Sequence, residues 1–342
     1  MKKKRISLDD IAISLGVSRS LVSLVLNNKD AKHGISAKTK QKVLTKAKEL
    51  NYKPNHFARG LRLGKSFTLG LIVSDIANGF YSRIARNLED LAEENGYNLI
   101  TCSTDEDIER ELRLIKLLRE KQVDGLIISS SQNNPIEFNR LRAEGFPVVL
   151  IDRYFDGLNV PAVVVRNRDG AKQAALHLLE QGYKRPLVLA IDPVHVYTIR
   201  ERREGFIDEM KLHSINPIVV NIPFDNPFKG VEDEIEKLLN NNQLSDCIFA
   251  LNNNLATACL QVLRKHNIDV PKNIGLVSFD DVPYFSFMNP SVTAVSQPID
   301  DISSVAFNTL MGWIRNDQNK LMENPIYLPI DFVVRESTIK NR

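Results

Sequence analysis

Residues that could do acid–base or covalent chemistry are scattered along the 342-residue chain rather than grouped at catalytic spacing. The paired acids Asp9–Asp10 and Asp280–Asp281 stand at a predicted helix start and a predicted strand end, without a positioned base. Cys102, Cys247 and Cys259 form no Cys-x-x-Cys pair, so neither a zinc site nor a disulfide framework is expected. The glycine-rich nucleotide motifs, the Gly-x-Ser-x-Gly elbow and the His-Glu-x-x-His motif are absent from the sequence. The sequence therefore predicts a binding protein rather than an enzyme, with no cofactor and no metal.

Another chemistry, the recognition of phosphates and bases, is indicated near the N-terminus. Residues 7–27 predict two short helices joined by a turn at Gly16, an arrangement that enters the major groove of DNA in many proteins. Ser7 can cap the first helix in a box with Asp10, and Ser18 can cap the second. An ordinary helical hairpin is the alternative interpretation. The side chains expected to point outward from the second helix are those of Arg19, Ser20 and Ser23.

The distribution of charge favours the DNA-binding interpretation. Residues 1–65 contain 16 basic and four acidic residues, a formal charge of +12. The remaining residues contain 29 basic and 38 acidic residues, a formal charge of −9. The near-neutral total of +3 therefore conceals a basic head, which DNA phosphates attract, and an acidic body, which they repel.

The basic head continues into a third helix and a marginal linker. Ser36 can cap a helix over about residues 37–50, whose lysines, including Lys38, face water. A further short helix can begin after Asn55, but two glycines weaken it, so we expect it to fold on DNA. The head is assigned to residues 1–53, the linker to 54–66 and the body to 67–342.

In the body, short apolar segments typical of strands alternate with helices of ten or more residues. This alternation predicts parallel sheets with right-handed crossovers, and its restart after about residue 166 predicts two doubly wound lobes. The fold class is therefore α/β, with ligands expected at the carboxyl ends of the strands. The predicted strands are 69–74, 97–103, 124–129, 147–152, 186–191, 217–222, 246–251 and 274–279. The predicted helices are 80–95, 107–121, 136–144, 168–181, 200–212, 230–240 and 253–266.

The composition is typical of a soluble protein with two or three domains. The chain is 43% hydrophobic and 25% charged, and it contains no apolar run of about 18 residues that could cross a membrane. The basic N-terminus is followed by no apolar segment of the kind found in a signal peptide. Three widely spaced cysteines suit a reducing compartment, so a cytoplasmic location and no membrane partner are expected.

Short motifs from Ile6 to about Ser337 together resemble the LacI/GalR family of transcriptional regulators. In the head they are Leu-Asp-Asp-Ile-Ala, Gly-Val-Ser, Val-Leu-Asn, Leu-Asn-Tyr-Lys-Pro-Asn and Ala-Arg-Gly-Leu-Arg. In the body they are Val-Asp-Gly-Leu-Ile (123–127), Ile-Asp-Arg (151–153), Arg-Arg-Glu-Gly-Phe (202–206), Phe-Asp-Asp (279–281) and Ser-Gln-Pro (296–298). Each motif is weak alone, but their combination and order are specific.

The resemblance implies a helix-turn-helix head, a hinge helix and a two-lobed body like that of a periplasmic sugar-binding protein. It implies a homodimeric repressor on a pseudo-palindromic double-stranded DNA operator, controlled by a small metabolite, expected to be a sugar or sugar derivative. Leu61 is expected to wedge into the minor groove at the operator centre. The residues expected to contact DNA are Ser7, Ser18, Arg19, Ser20, Ser23, Asn27, Ser36, Lys38, Asn55, Ala58, Arg59, Leu61 and Arg62.

The resemblance also places an effector between the lobes, which it assigns to residues 67–165 with 298–325 and residues 166–297 with 326–342. Carboxylates and amides can bind sugar hydroxyls, guanidinium groups can grip paired oxygens, and aromatic rings can stack on a sugar face. The alternative readings are that the aromatic residues belong to the core and that Arg200 pairs with a carboxylate. The residues expected to contact the effector are Asn78, Phe80, Tyr81, Asp152, Arg200, Arg202, Asn252 and Asp280.

The chain departs from the family pattern in both functional regions. Leu21 and Leu24 stand where the family commonly has Thr and Arg, and Asn253 stands where it usually has Asp. The chain stops soon after Ser337, which favours a dimer over a tetramer. The closeness of Arg200 and Arg202 mildly favours an anionic sugar. A periplasmic binding protein is a weaker alternative, because it would not carry the basic head.

Overall fold

The computed structural model describes residues 6–26, 30, 33–52, 64–192, 196–241, 245–316 and 325–340, in two compact units that divide after Gly64. The N-terminal unit contains helices α1 (Leu8–Leu15), α2 (Arg19–Leu26) and α3 (Ala37–Glu49). Side chains from all three helices close a small apolar core, formed by Ile11, Ala12, Val22, Val25, Val43 and Ala47.

The predicted capping residues begin and end these helices. The Ser7 backbone N–H donates to Asp10 Oδ2 at 2.7 Å, while the Asp10 N–H donates to Ser7 Oγ at 3.3 Å, so the capping box is complete. Gly16 ends α1 with φ of +64°, a conformation that favours glycine. Ser18 and Ser36 each accept a backbone N–H three residues further on, at 3.2 Å. Most of the predicted hinge, residues 54–63 of 54–66, lies outside the described residues.

The first lobe of the body is built on a six-stranded parallel sheet in the order β11-β5-β4-β3-β1-β2. Alternate residues of β1 pack on opposite faces, and each face is covered by helices around its own apolar cluster. The strands are β1 (Thr68–Val73), β2 (Asn98–Ser103), β3 (Gly125–Ile128), β4 (Val148–Ile151), β5 (Ala162–Val165) and β11 (Ile326–Leu328). The helices are α4 (Gly79–Glu94), α5 (Ile108–Glu120), α6 (Ile136–Ala143) and α11 (Ile299–Ile314).

The second lobe repeats the design in the order β12-β10-β9-β8-β6-β7, and only β12 runs antiparallel to its neighbour among the strands described. The strands are β6 (Pro186–Ile191), β7 (Ile218–Ile222), β8 (Cys247–Ala250), β9 (Gly275–Phe279), β10 (Thr293–Ser296) and β12 (Asp331–Val333). The helices are α7 (Asn167–Glu180), α8 (Tyr197–Leu212), α9 (Pro227–Asn240) and α10 (Asn253–Lys265).

The chain passes between the lobes three times, after β5, after β10 and after β11. The last crossing corrects a predicted boundary. Residues 326–328 were assigned to the second lobe, but they pair with β5 of the first, so the crossing follows Leu328. Strands of three residues carry too little alternation to be placed from sequence. No helix within the described ranges is long and apolar enough to cross a membrane.

A carboxyl group is buried in the first lobe, beside the loop that follows β3. The Glu111 side chain on α5 has no exposed surface and accepts hydrogen bonds from the Ser130 hydroxyl at 2.9 Å and the Ser131 N–H at 2.5 Å. Burial raises the pKa of Glu111 to about 7, although both hydrogen bonds act in the opposite direction. Protonation therefore occurs near neutral pH, and the folded protein holds this proton more tightly than the unfolded chain does.

The pKa of Glu111 predicts that stability depends on pH. Because the folded value lies above the unfolded one, this group destabilises the fold progressively as pH rises from about 4.5 through 7, by up to about 3 kcal/mol. Glu111→Gln mimics the protonated side chain, since its amide can donate to the Ser130 hydroxyl and accept from the Ser131 N–H. We expect the variant to gain stability over the parent at pH 8 and little at pH 5.

Urea unfolding followed by fluorescence of Trp313, the chain's single tryptophan, tests this expectation. Trp313 packs against the apolar cluster that contains Ile115 and Leu118 of α5, the helix that carries Glu111. The matched control is Glu109→Gln, which removes an exposed carboxylate from the same helix. A stability difference between Glu111→Gln and the parent that does not change from pH 5 to pH 8 would contradict the argument.

Candidate functional site

The N-terminal unit presents a polar surface along α2 and the start of α3. Arg19 is 68% exposed and lies 3.6 Å from Asp9, a contact too weak in water to hold it away from a ligand. Ser20 and Lys38 are exposed and Ser23 is half-buried. The hydroxyls of Ser7, Ser18 and Ser36 are used as helix caps. Six residues of the predicted interface lie outside the described residues: Asn27, Asn55, Ala58, Arg59, Leu61 and Arg62.

A cavity of about 460 Å³ lies between the two lobes of the body. Its size is within the usual range for small-molecule sites, and its wall is formed by the carboxyl ends of parallel strands from both sheets. Seven of the eight residues predicted to contact an effector line it: Asn78, Phe80, Tyr81, Asp152, Arg202, Asn252 and Asp280.

Arg202 on α8 joins the two lobes at the floor of the cavity. It is 4% exposed; Nη2 lies 3.9 Å from Asp152 of the first lobe, and Nη1 lies 3.7 Å from Asp280 of the second. Its Nε donates to Asn167 Oδ1 at 2.8 Å and Nη1 donates to a backbone carbonyl at 2.9 Å. The guanidinium stacks on the Phe279 ring at 3.7 Å. These contacts compensate a charge that would otherwise be costly to bury.

The two carboxylates beside Arg202 occupy equivalent places in the two lobes, directly after β4 and β9. Burial raises the pKa of Asp280 above its ordinary value, against the opposing charge of Arg202 and a hydrogen bond from Gln297. Asp152 Oδ2 accepts a hydrogen bond from the Tyr81 hydroxyl at 2.9 Å. Asp152 Oδ1 is buried without a hydrogen bond from the part of the chain that the structure describes. That oxygen has almost no exposed surface and faces Arg202 Nη2 at 3.9 Å.

Arg153 and Glu106 form a second buried pair in the cavity wall, which sequence reasoning missed. The Arg153 guanidinium donates to both oxygens of Glu106, at 2.6 and 2.8 Å, and to the Ser130 carbonyl at 2.9 Å. Burial acts to raise the pKa of Glu106, but the charge and hydrogen bonds of Arg153 outweigh it and hold that pKa below its ordinary value. Arg153 stands in the Ile-Asp-Arg motif, so its position was visible although its partner was not.

Backbone strain is concentrated in the cavity wall. Asp105, Glu106, Asp152 and Asp280 all have positive φ, between +54° and +73°. Side chains other than glycine reach this left-handed region at a cost of about 1–3 kcal/mol each. Four of the ten non-glycine residues with positive φ in the described structure therefore line this one cavity.

The structure corrects one predicted effector contact and explains two others. Arg200 is absent from the cavity wall: its side chain is 41% exposed, 3.7 Å from Glu201 and near the Tyr197 ring. It occurs two residues before Arg202 on α8, and side chains at that spacing point in different directions around a helix. Asn78 and Asn252 line the cavity while capping α4 and α10.

Residues that the sequence did not single out complete the wall. The second lobe adds Phe224 and Asn254, and the first lobe adds Asp75 and Asp105. Phe224 and Asp75 lie in loops after strands, where no periodic pattern marks them. Among the described residues, no group of three or more histidine, cysteine, aspartate or glutamate side chains is arranged to hold a metal ion.

Comparison with known proteins places the chain in a family along almost its whole length. Residues 7–55 match the family described as bacterial regulatory proteins, lacI family. Residues 66–335 match the periplasmic binding proteins and sugar binding domain of LacI family. The ribose operon repressor of Halalkalibacterium halodurans is 34% identical over 96% of both chains. The transcriptional regulator RegA of Clostridium saccharobutylicum is 32% identical over 97% of this chain and 99% of its own.

Solved structures share the fold. The lac repressor dimer bound to operator and the anti-inducer ONPF superposes with a TM-score of 0.86 at 23% identity, covering 98% of this chain and all of its own. A LacI family transcriptional regulator from Enterococcus faecium with bound ribose has a TM-score of 0.71 at 25% identity, covering 80% of this chain and all of its own. The chain is therefore a member of the LacI family of DNA-binding transcriptional regulators, with a helix-turn-helix head and a two-lobed body of the periplasmic-binding-protein type.

Proposed function

We propose that the protein is a homodimeric repressor whose affinity for a pseudo-palindromic operator changes when a sugar binds between the lobes. The observation that carries the proposal is the meeting of Asp152, Arg202 and Asp280 at the cavity floor, because it joins both lobes through groups that bind hydroxyls. A ligand there contacts the two lobes at once and changes the free energy of their relative positions.

The lining of the cavity supports a carbohydrate as the ligand. Asp152 and Asn252 offer acceptors and donors for hydroxyl groups, while Phe80 and Phe224 offer one ring from each lobe for an apolar sugar face. Two relatives point to the same class: the Halalkalibacterium halodurans protein is named a ribose operon repressor, and the Enterococcus faecium structure contains ribose. Ribose is accordingly the first probe to use.

Three tyrosines give the lobes a second contact whose geometry a bound sugar can alter. Tyr154 of the first lobe packs edge-on against Tyr197 of the second, with ring centroids 4.6 Å apart. The Tyr154 hydroxyl lies 2.8 Å from that of Tyr327 on β11, so the contact is fixed beside a crossing strand. Such a junction limits the lobes to a small set of relative positions. We infer that a ligand shifts the populations of those positions and, through them, the fit of the dimer to its two half-sites.

The proposed DNA reader is Arg19. Arg19→Ala should weaken binding to a specific operator by about 10- to 100-fold, because a forked contact with guanine is worth about 1–3 kcal/mol, while binding to random DNA changes little. Lys38→Ala should instead weaken both by the same factor and reduce the salt dependence by about one counterion. Fluorescence anisotropy measures the affinity of each variant for random DNA and for an operator that the protein itself selects from a pool of random sequences. Equal losses on operator and random DNA for Arg19→Ala would contradict the assignment.

The proposed effector contact is tested with Asp152→Asn. The isosteric amide removes the charge and leaves the fold, so the variant should bind the selected operator as the parent does but lose the change in affinity caused by the sugar. Arg202→Ala is a poorer test, because it leaves two buried carboxylates without their cation and should cost about 3–5 kcal/mol of stability.

Asp301→Asn is the matched control, since it removes an exposed carboxylate from α11, outside the cavity wall. A thermal-shift screen of pentoses and hexoses identifies the sugar beforehand, because a ligand at a hundred times its Kd should add about 2.7 kcal/mol of stability. An undiminished response of Asp152→Asn to that sugar would place the effector elsewhere.

A further inference from the structure

Both guanidinium groups in the cavity wall are already committed to protein acceptors. Arg153 makes a two-pronged contact with Glu106 and a third hydrogen bond to a carbonyl. Arg202 lies between Asp152 and Asp280, with its Nε on Asn167 and its face on Phe279. A phosphate or carboxylate is bound tightly when an arginine presents a free fork to it. Here both guanidinium groups face protein carboxylates: Glu106 for Arg153, and Asp152 with Asp280 for Arg202.

Two buried polar atoms of the described cavity wall make no hydrogen bond: the Asp152 Oδ1, an acceptor, and the Arg153 Nε, a donor that lies 3.5 Å from Asp152 Oδ2. Asp152 is 4% exposed, and its Oδ1 receives no hydrogen bond within the described ranges. A hydroxyl group can donate to it, whereas an ionised phosphate or carboxylate has only lone pairs to offer. Asp152 Oδ1 has almost no exposed surface and faces Arg202 Nη2 at 3.9 Å, so a ligand group that displaces this contact is favoured there when it is a hydroxyl rather than an anion.

The mouth of the cavity adds further negative charge. Asp75, in the loop after β1, is half-buried and accepts the Ala77 N–H at 2.8 Å. Asp225, in the loop after β7, is exposed and lines the cavity from the other lobe. In all, six carboxylates and two guanidinium groups line the described wall. An anion that enters meets uncompensated like charge from both lobes, which raises its Kd steeply.

On the basis of the proposed function, we propose that the cleft acts as a charge filter, which binds an uncharged sugar and rejects sugar phosphates and sugar acids. Asp75 and Asp225 are the specificity-determining residues that enforce this rejection. The mild preference for an anionic sugar drawn from the sequence required Arg200 and Arg202 to act together. Arg200 lies outside the cavity wall, and Arg202 is neutralised by its neighbours.

Calorimetric titration of the full-length protein in physiological salt tests the filter with matched sets of ligands. The sets are ribose, ribose 5-phosphate and ribonate, and glucose, glucose 6-phosphate and gluconate. In the set whose free sugar binds, the phosphate and the acid should bind at least about 100-fold more weakly, the effect expected of uncompensated like charge. A phosphate or acid that binds as tightly as its free sugar overturns the filter and leaves the proposed function intact. Failure of all six compounds to bind overturns the sugar assignment, and the filter with it.

The rim residues, Asp75 and Asp225 at the mouth of the cavity, are tested with the double variant Asp75→Asn and Asp225→Asn. Asparagine keeps the oxygen that accepts the Ala77 N–H, so the loop after β1 should hold its shape. The ratio of the Kd for the sugar phosphate to that for the free sugar should fall by about tenfold, since two like charges leave the mouth. The control double variant, Asp301→Asn and Asp331→Asn, makes the same change in net charge on exposed residues away from the cavity. An unchanged ratio in the rim variant, or an equal fall in the control, would overturn the role of the rim.

Discussion

The body of this regulator depends on one ionic contact, the buried Arg202 guanidinium held between Asp152 and Asp280. Two carboxylates this close to each other in a buried site would repel, and an isolated guanidinium there would lose its hydration without compensation. Each charge is therefore less costly to bury while the others are in place, and the contact links one lobe to the other. A ligand that donates a hydrogen bond to Asp152 or accepts one from Arg202 changes the strength of these ionic contacts, and thereby the free energy of the arrangement of the two lobes.

The surrounding structure serves to hold those three charges in position. Asp152 and Asp280 each follow a buried strand in a left-handed backbone conformation, so their side chains turn out of the sheet and toward the cleft. The Tyr81 hydroxyl donates to one oxygen of Asp152 and the other oxygen faces Arg202, while the Phe279 ring packs against the guanidinium of Arg202. Behind this layer, Arg153 and Glu106 neutralise each other, so the wall is rigid without adding a free positive charge.

The sequence predicted ten of the eleven described α-helices, eight of the twelve described strands and seven of the residues that line the cleft. Helix caps such as Ser7 and Gly16 have local causes, and strands buried on both faces form recognisable apolar runs, so both were visible in the chain. Four described strands and one described helix were not predicted: β5, β10, β11, β12 and α11. The pairing of β11 and β12 depends on where the chain crosses between lobes, which the sequence does not show. The partner of Arg153 was missed for the same reason: Glu106 is 47 residues away and meets it only in the folded sheet.

Arg200 shows why residue type and spacing alone misjudged the charge of the cleft. Two arginines separated by one residue suggest a shared anion site, yet on a helix only Arg202 faces inward, and its charge is cancelled by Asp152 and Asp280. What a cleft attracts depends on the charge left after its internal pairs are satisfied. Here the charge left over in the described wall is negative and lies at the mouth, on Asp75 and Asp225. Arg202, which was expected to bind an anion together with Arg200, therefore belongs to a site suited to hydroxyl groups.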